Sequence, residues 1–169
     1  MKYFLNCSLI ALVLLFVMAG LVRYTETPVH ATLGTGAYTT VPYDSTNFGA
    51  TAGMTFAVGT QNTYRYNVDE NKQLHLMVDV LNSSTSGSAA SSFITVKIPE
   101  GRTAGRTVTS AALMATDNGN AGVWETCYVI ASQGSNSLLI RRASGANWPI
   151  ISNTLRIDLN LTLEVNDAP

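Results

Sequence analysis

A strict alternation of apolar and polar residues near the C-terminus constrains the fold of this chain more than any other feature. Apolar side chains occupy every second position from Leu155 to Val165, and every position between them, from Arg156 to Glu164, is polar. Successive side chains of a β-strand point to opposite faces, whereas a helix would spread these leucines around its whole circumference. The segment is therefore predicted to be a long strand with one face on a core and the other in water.

Shorter stretches with the same alternation, or with β-forming composition, run through the chain after residue 35. They are residues 38–43, 54–58, 64–68, 74–80, 93–98, 108–114, 122–131 and 137–141. Turn signals separate them, among them residues 69–71, 99–101 and a Ser/Gly-rich loop over 82–92. About eight or nine short strands at this spacing, without helical periodicity, predict an all-β fold, an antiparallel β-sandwich of the jelly-roll type.

An uncharged apolar stretch, residues 9–22, precedes this β-rich part, and no charge occurs between Lys2 and Arg23. It has the layout of a secretory signal, and Val29 and Ala31 suit the positions −3 and −1 that signal peptidase prefers. About twenty apolar residues also span a bilayer as a helix. The stretch therefore predicts one N-terminal hydrophobic helix that is a cleaved signal, a retained anchor or a helix buried among identical helices. Each alternative places the remainder outside the cytoplasm.

These patterns divide the chain into three parts. Residues 1–31 are the signal peptide or membrane-anchor helix, residues 32–43 are a linker or first strand, and residues 44–169 are the β-sandwich domain. Charged residues make up 12% of the chain and the net charge is −1. Without a basic stripe the chain lacks the attraction on which nucleic-acid binding depends, so no nucleic-acid partner is predicted. Weak self-repulsion permits close packing of subunits.

The sequence contains no convincing catalytic pattern, and the protein is predicted not to be an enzyme. Its two histidines, His30 and His75, do not form a cluster with zinc-ligand spacing. No Gly-x-Ser-x-Gly elbow accompanies them. Acidic residues on the strands, such as Asp79 and Asp158, are expected to lie on solvated faces. The one cysteine after the apolar stretch, Cys127, has no partner for a disulfide within the domain and is expected to be a small buried side chain.

The best candidate for a metal site is the segment 117–120. Asp117, Asn118 and Asn120 carry oxygen ligands of the kind that Ca²⁺ takes, and no other cofactor is predicted. The same segment contains Asn118-Gly119, which suits the two positive-φ positions of a type I′ hairpin turn. The turn is the favoured interpretation.

Three aromatic residues are candidates for ligand binding. Trp148 lies between two predicted strands, and Tyr64 and Tyr66 belong to an early cluster of tyrosines. Trp and Tyr rings stack on the apolar faces of sugars and dominate binding hot spots. The alternative is that Trp148 plugs the open end of the core, and this alternative is favoured.

From residue 53 onward the order of these features resembles the small jelly-roll domains of bacteriophage virion proteins, of the tail-fibre-tip and spike type. The resemblance is one of pattern, carried by the 54–56 strand, the polar 64–73 hairpin, the 74–80 strand with its Ser/Gly loop, residues 93–101, the 117–119 turn and Asn147-Trp148-Pro149 before the last strand. It implies a trimer that binds a host surface or builds the particle. The export segment departs from tail fibres and fits a spike of a membrane-containing phage or a cellular surface protein.

Three functions follow as expectations. The first is a structural or adhesion module that self-associates on the outside of a cell or on a virion surface. The second is a subunit of an extracellular filament, in which residues 32–43 pair as a donor strand with a neighbour's edge strand. The third is a secreted carbohydrate-binding module that recognises a cell-surface glycan. The predicted partner is the chain itself, as a trimer or filament, with the membrane added if the N-terminal segment is retained.

Overall fold

The computed structural model describes residues 36–87, 93–120 and 123–168. The predicted helix over residues 9–22 and the first part of the predicted linker, residues 32–35, lie outside this range. The helices of the described part are two short 3-10 helices, Ser45–Asn47 and Pro99–Gly101. No helix in these residues is long and apolar enough to cross a bilayer.

The described residues form strands that all pair antiparallel, which confirms the predicted all-β class. The strands are β1 (Thr39–Thr40), β2 (Phe48–Ala50), β3 (Met54–Ala57), β4 (Thr60–Val68), β5 (Gln73–Gly87), β6 (Ile94–Lys97), β7 (Thr103–Ala104), β8 (Val108–Ala115), β9 (Trp124–Ala131), β10 (Ser137–Arg142) and β11 (Ile151–Asn166). Their order across the sheet is β1-β4-β5-β11-β8-β9-β10-β6-β2, and β3 also pairs with β5 and β7 with β11.

The two longest strands, β5 and β11, pair with each other near the middle of the sheet. Leu159 lies opposite Val78, and Asp158 lies opposite Asp79. Every apolar side chain in the alternating segment of β11, from Leu155 to Val165, is buried, as the sequence predicts. Because the side-chain period of a strand is two, the intervening polar residues form the outer face of the same strand pair.

The sheet curls around its core, because residues from strands near its two ends pack against each other. The ring of Phe48 on β2 lies 5.7 Å from that of Tyr64 on β4. The Tyr64 hydroxyl donates a hydrogen bond of 2.5 Å to the carbonyl oxygen of Lys97 on β6. The apolar face of the sheet is thus turned inward. The outer face carries polar residues and a few exposed apolar side chains on β8 and β9.

The structure corrects the prediction of a loop over residues 82–92. Strand β5 continues to Gly87, where β3 pairs with it on one side and β11 on the other. Apart from Thr85, the residues there are Asn, Ser and Gly, which are typical of turns and loops, and pairing on both edges outweighs that preference. Asn82, at φ 49°, lies where the strand departs from regular geometry.

Candidate interaction surface

A two-point ion pair organises the outer face where β5 and β11 meet. Nε of Arg156 donates to Oδ1 of Asp79 and Nη2 donates to Oδ2, each over 3.0 Å. Asn62 on β4 donates from Nδ2 to the same Oδ2 over 2.6 Å. Both ionic side chains are largely buried, so the pair fixes the direction in which the guanidinium leaves β11.

The guanidinium of Arg156 in turn holds the indole of Trp124. Its Cζ atom lies 5.0 Å from the ring centroid, which is a cation–π contact. Gly119 borders the indole as well, since a Cβ atom at that position would be 2.9 Å from Cζ2 of Trp124. Trp124 is therefore an exposed aromatic side chain with a fixed orientation.

Trp124 begins a diagonal line of exposed apolar side chains on β8 and β9. Leu113 lies opposite Thr126, between Trp124 and Tyr128 on the neighbouring strand. Diagonal neighbours of this kind are about 7–8 Å apart, within reach of aromatic side chains. The exposed fractions are 44% for Leu113, 37% for Trp124 and 48% for Tyr128, although the opposite face of the same strands is buried. We call Leu113, Trp124 and Tyr128 the apolar line.

Charged groups flank the apolar line on both sides. Asp158 on β11 lies opposite Leu113, and Arg141 on β10 lies opposite Tyr128. A shallow cleft of about 160 Å³ opens beside Asp158 and is lined by Thr63, Met77, Val78, Asp79 and Leu159 as well. Burial, followed by the neighbouring Asp79 carboxylate, raises the pKa of Asp158 above its ordinary value.

The three aromatic residues that were candidates for ligand binding are buried in the structure. Tyr64 is 1% exposed, Tyr66 is 6% exposed and Trp148 is 3% exposed. Tyr64 and Tyr66 lie on the inner face of β4, and Trp148 belongs to the same core cluster. None of the three presents a ring face to solvent, and the favoured alternative of Trp148 in the core agrees with its position.

The predicted calcium segment forms a tight turn in the structure. Asn118 and Gly119 have φ angles of 58° and 81°, and the amide of Asn120 donates to the carbonyl oxygen of Asp117 over 3.2 Å. Oδ1 of Asp117 accepts from the amide of Gly119. In the described part of the chain, no three His, Cys, Asp or Glu side chains lie close enough to hold a metal ion. The calcium site remains a prediction.

The side chain of Asn118 connects this turn to two other strands. Its Oδ1 accepts from the amide of Asn82 over 2.8 Å, and its Nδ2 donates to Oδ1 of Asn82 and to the carbonyl oxygen of Asn153. All three asparagines have positive φ, a conformation that asparagine tolerates better than most residues. The cluster fixes the β8–β9 turn, and with it Gly119, against β5 and β11.

His75 and Cys127, which the sequence analysis considered, and the neighbouring Glu125 have structural roles in the described residues. Nδ1 of His75 lies 3.0 Å from the Thr162 hydroxyl on the outer face, where the sequence predicted it. Cys127 is fully buried, as predicted. Glu125 accepts hydrogen bonds from Arg142 and from Ser144, and these bonds keep the pKa of its carboxyl below the ordinary value.

Comparison of the chain with protein-family models, curated proteins and solved structures found no match. The apolar line was not among the predicted site residues. The sequence signal for the line is the alternation along β9, which places Trp124, Thr126 and Tyr128 on one face and Cys127 on the other. A buried Cys127 requires those three side chains to point outward.

Proposed function

We propose that the protein is a non-enzymatic structural or adhesion module that self-associates outside the cytoplasm, on a cell or virion surface. The observation that carries this proposal is the apolar line on the outer face of β8 and β9. Exposed apolar patches with aromatic residues and arginine at their centre are characteristic of protein–protein interfaces. The jelly-roll resemblance and the N-terminal apolar stretch supply the expectation of an external location.

The fixed orientation of Trp124 supports a binding role for the line. Binding is weakened when side chains must be ordered on association, and a side chain that is already held loses less freedom. Arg156 stacks on the indole, and Asp79 holds Arg156. Tryptophan, tyrosine and arginine are also the residues enriched among interface hot spots.

The composition of the surface favours a second copy of the same chain as the partner. The outward-facing side chains in and beside the line are uncharged, and they include Ala111, Leu113 and Thr126. Two copies can therefore meet face to face without like-charge repulsion at the centre. Asp158 flanks the line on the β11 side and Arg141 on the β10 side. In a dimer whose two-fold axis runs parallel to the strands, the β11 side of one copy faces the β10 side of the other. Asp158 of each copy then lies towards Arg141 of its partner.

The jelly-roll classification is part of this proposal. It is supported by the curl that brings Phe48 and Tyr64 together, because packing of the two ends of an antiparallel sheet is what such domains share. In the trimer that the resemblance implies, the apolar line would supply the contact between subunits.

Sedimentation velocity of the full-length protein in mild detergent, over a range of concentrations, tests self-association. The variant Leu113→Lys places a charge at the centre of the line and should shift the sedimentation distribution towards smaller species at each concentration. The matched control is Ile150→Lys, because Ile150 is another exposed apolar residue, at 61%, and belongs to neither β8 nor β9. The control should sediment like the wild type.

A wild-type protein that sediments as a monomer at every concentration would refute the proposal, and so would oligomers that withstand Leu113→Lys. Circular dichroism of each variant verifies that the fold is retained. The external location has its own test, which is the intact mass of the protein from its native source together with protease accessibility on intact cells or particles. A mass that matches a chain beginning near residue 32 indicates a cleaved signal. The mass of the full-length chain indicates a retained anchor.

A further inference from the structure

The first described residues, 36–41, lie as an arm along the outer edge of β4. Thr39 and Thr40 pair opposite Tyr66 and Arg65, and the amide of Val41 donates to the carbonyl oxygen of Tyr64 over 2.7 Å. We call residues 36–41 the arm. The arm supplies the end strand of the sheet order, so without it β4 would be an open edge with unpaired backbone groups.

Side chains of β4 hold the arm at both of its ends. Nδ2 of Asn67 donates to the carbonyl oxygen of Gly36 over 2.7 Å, and Nε2 of Gln61 donates to that of Val41 over 2.8 Å. Arg65 stacks over the ring of Tyr38 at 5.1 Å. These contacts define a specific register, which distinguishes the arm from a loosely adsorbed segment.

The arm contributes little to the core. Residues 36–40 are all exposed, and Val41 is only partly buried against the core. Among the described residues, Phe48 is the first buried one, and its ring packs on Tyr64. Between them, Asp44 caps the 3-10 helix Ser45–Asn47 by accepting from the amide of Thr46. The arm can therefore leave the β4 edge without opening the core.

We propose that the arm exchanges between copies, so that the arm of one copy pairs with β4 of a neighbour in the register seen within one chain. This inference rests on the proposed self-association and names a second contact by which copies are joined. An exchanged arm makes the same backbone and side-chain bonds in the neighbour as in its own chain. Reciprocal exchange closes a dimer, and one-way exchange from copy to copy builds a filament.

The residue between arm and body suits such an exchange. Pro42 lies immediately after Val41, and its ring fixes its own φ angle and disfavours the helical conformation in the residue before it. The connection is therefore biased towards an extended backbone. Tyr43, on the body side of Pro42, donates from its hydroxyl to the carbonyl oxygen of Val58, and its ring stacks on that of Phe48 at 6.5 Å.

Disulfide trapping between two differently labelled copies tests the exchange. Thr40 and Arg65 are exposed and directly opposite, at a separation of about 4.5–5.5 Å between Cα atoms, which permits a disulfide. Full-length Thr40→Cys is mixed with full-length Arg65→Cys, both carrying Cys7→Ser, and oxidised with glutathione disulfide. The buried Cys127 stays in place. Arm exchange predicts a covalent dimer on a non-reducing gel.

The control mixture pairs Thr40→Cys with Thr109→Cys, an exposed position on β8 that is not paired with the arm. The dimer should be several-fold stronger in the first mixture than in the control. Equal amounts in the two mixtures, or no dimer in either, would overturn arm exchange. Sedimentation of the same samples distinguishes self-association from arm exchange. Oligomers without the disulfide would refute arm exchange and support self-association. Samples that contain only monomers would refute both proposals.

Discussion

Arg156 on β11 and Asp79 on β5 are joined by two parallel hydrogen bonds of 3.0 Å, and the same guanidinium makes a cation–π contact with the indole of Trp124. A buried carboxylate and an exposed aromatic ring are thus linked through one guanidinium. Stability and surface presentation depend on the same three residues.

Asp79→Asn should destabilise the fold by about 2 kcal/mol, because it leaves the partly buried guanidinium of Arg156 with only the more distant Asp158 carboxylate, at 3.9 Å, as counter-charge. Urea unfolding measures the change. Acrylamide quenching should increase at the same time, since Trp124 loses its fixed neighbour and the other tryptophan, Trp148, is buried. Asp167→Asn removes an exposed carboxylate that pairs with Lys72 and Arg102, and it should change the unfolding midpoint little because exposed ion pairs contribute little stability. Equal effects of the two variants would show that the Arg156 pair has no special role.

Gly119→Ala should cost more stability than Gly134→Ala, although both glycines have similar positive φ angles of 81° and 77°. An alanine in this conformation costs about 1 kcal/mol at either position. At Gly134 no atom lies within 4 Å of the added methyl group, whereas at Gly119 the methyl group meets Trp124 at 2.9 Å. The indole must then shift from Arg156. We expect about 1 kcal/mol of additional loss and altered tryptophan fluorescence for Gly119→Ala alone, and equal losses would refute the contact.

The strand periodicity of the sequence predicted the inner and outer faces of β5 and β11 because that periodicity is a local property of the backbone. The extension of β5 to Gly87 was not predictable in the same way. Its residues favour a loop, and strands β3 and β11, which hold it in place, come from elsewhere in the chain. Local propensity is overridden there by pairing on both edges.

The aromatic residues show a second limit of sequence reasoning. Tyr64 was a candidate for ligand binding because tyrosine suits both surfaces and cores. Its burial depends on the curl of the sheet, which brings Phe48 and Lys97 against it from distant parts of the sequence. For the apolar line, alternation was sufficient to identify the face of Trp124 and Tyr128, but the contact with Arg156 required the position of β11.

Asp158→Asn should stabilise the protein near pH 7 and have no effect in strong acid. Burial and the opposing Asp79 raise the pKa of Asp158 in the folded state, so the folded state binds a proton more strongly than the unfolded chain. The free energy of unfolding therefore falls as the pH rises from the ordinary aspartate pKa through the raised one. Asparagine cannot ionise and avoids that loss. Urea unfolding of both proteins between pH 3 and about 7 measures the difference. A difference that shrinks with rising pH would contradict this assignment.

Glu125→Gln should show the opposite pH dependence. Hydrogen bonds from Arg142 lower the pKa of Glu125 in the folded state, and Ser144 adds a further bond. The charged carboxylate therefore contributes stability above the ordinary glutamate pKa, and this contribution disappears as the pH falls through the lowered value. The variant should be less stable than the wild type near pH 7 and similar to it in strong acid. A loss of stability that is independent of pH would indicate a packing role instead.

Cys127 should resist alkylation as long as the protein is folded. Its side chain is fully buried, and burial, with a smaller contribution from the Glu125 charge, raises the pKa of the thiol to about 12. Because the thiolate is the reactive form, ionisation alone should slow the reaction with iodoacetamide at pH 8 by about a thousand-fold. Peptide mass spectrometry after brief labelling, in buffer and in concentrated urea, separates Cys127 from Cys7. We expect modification of Cys127 in urea only, and comparable labelling in buffer would show that the core around β9 opens readily.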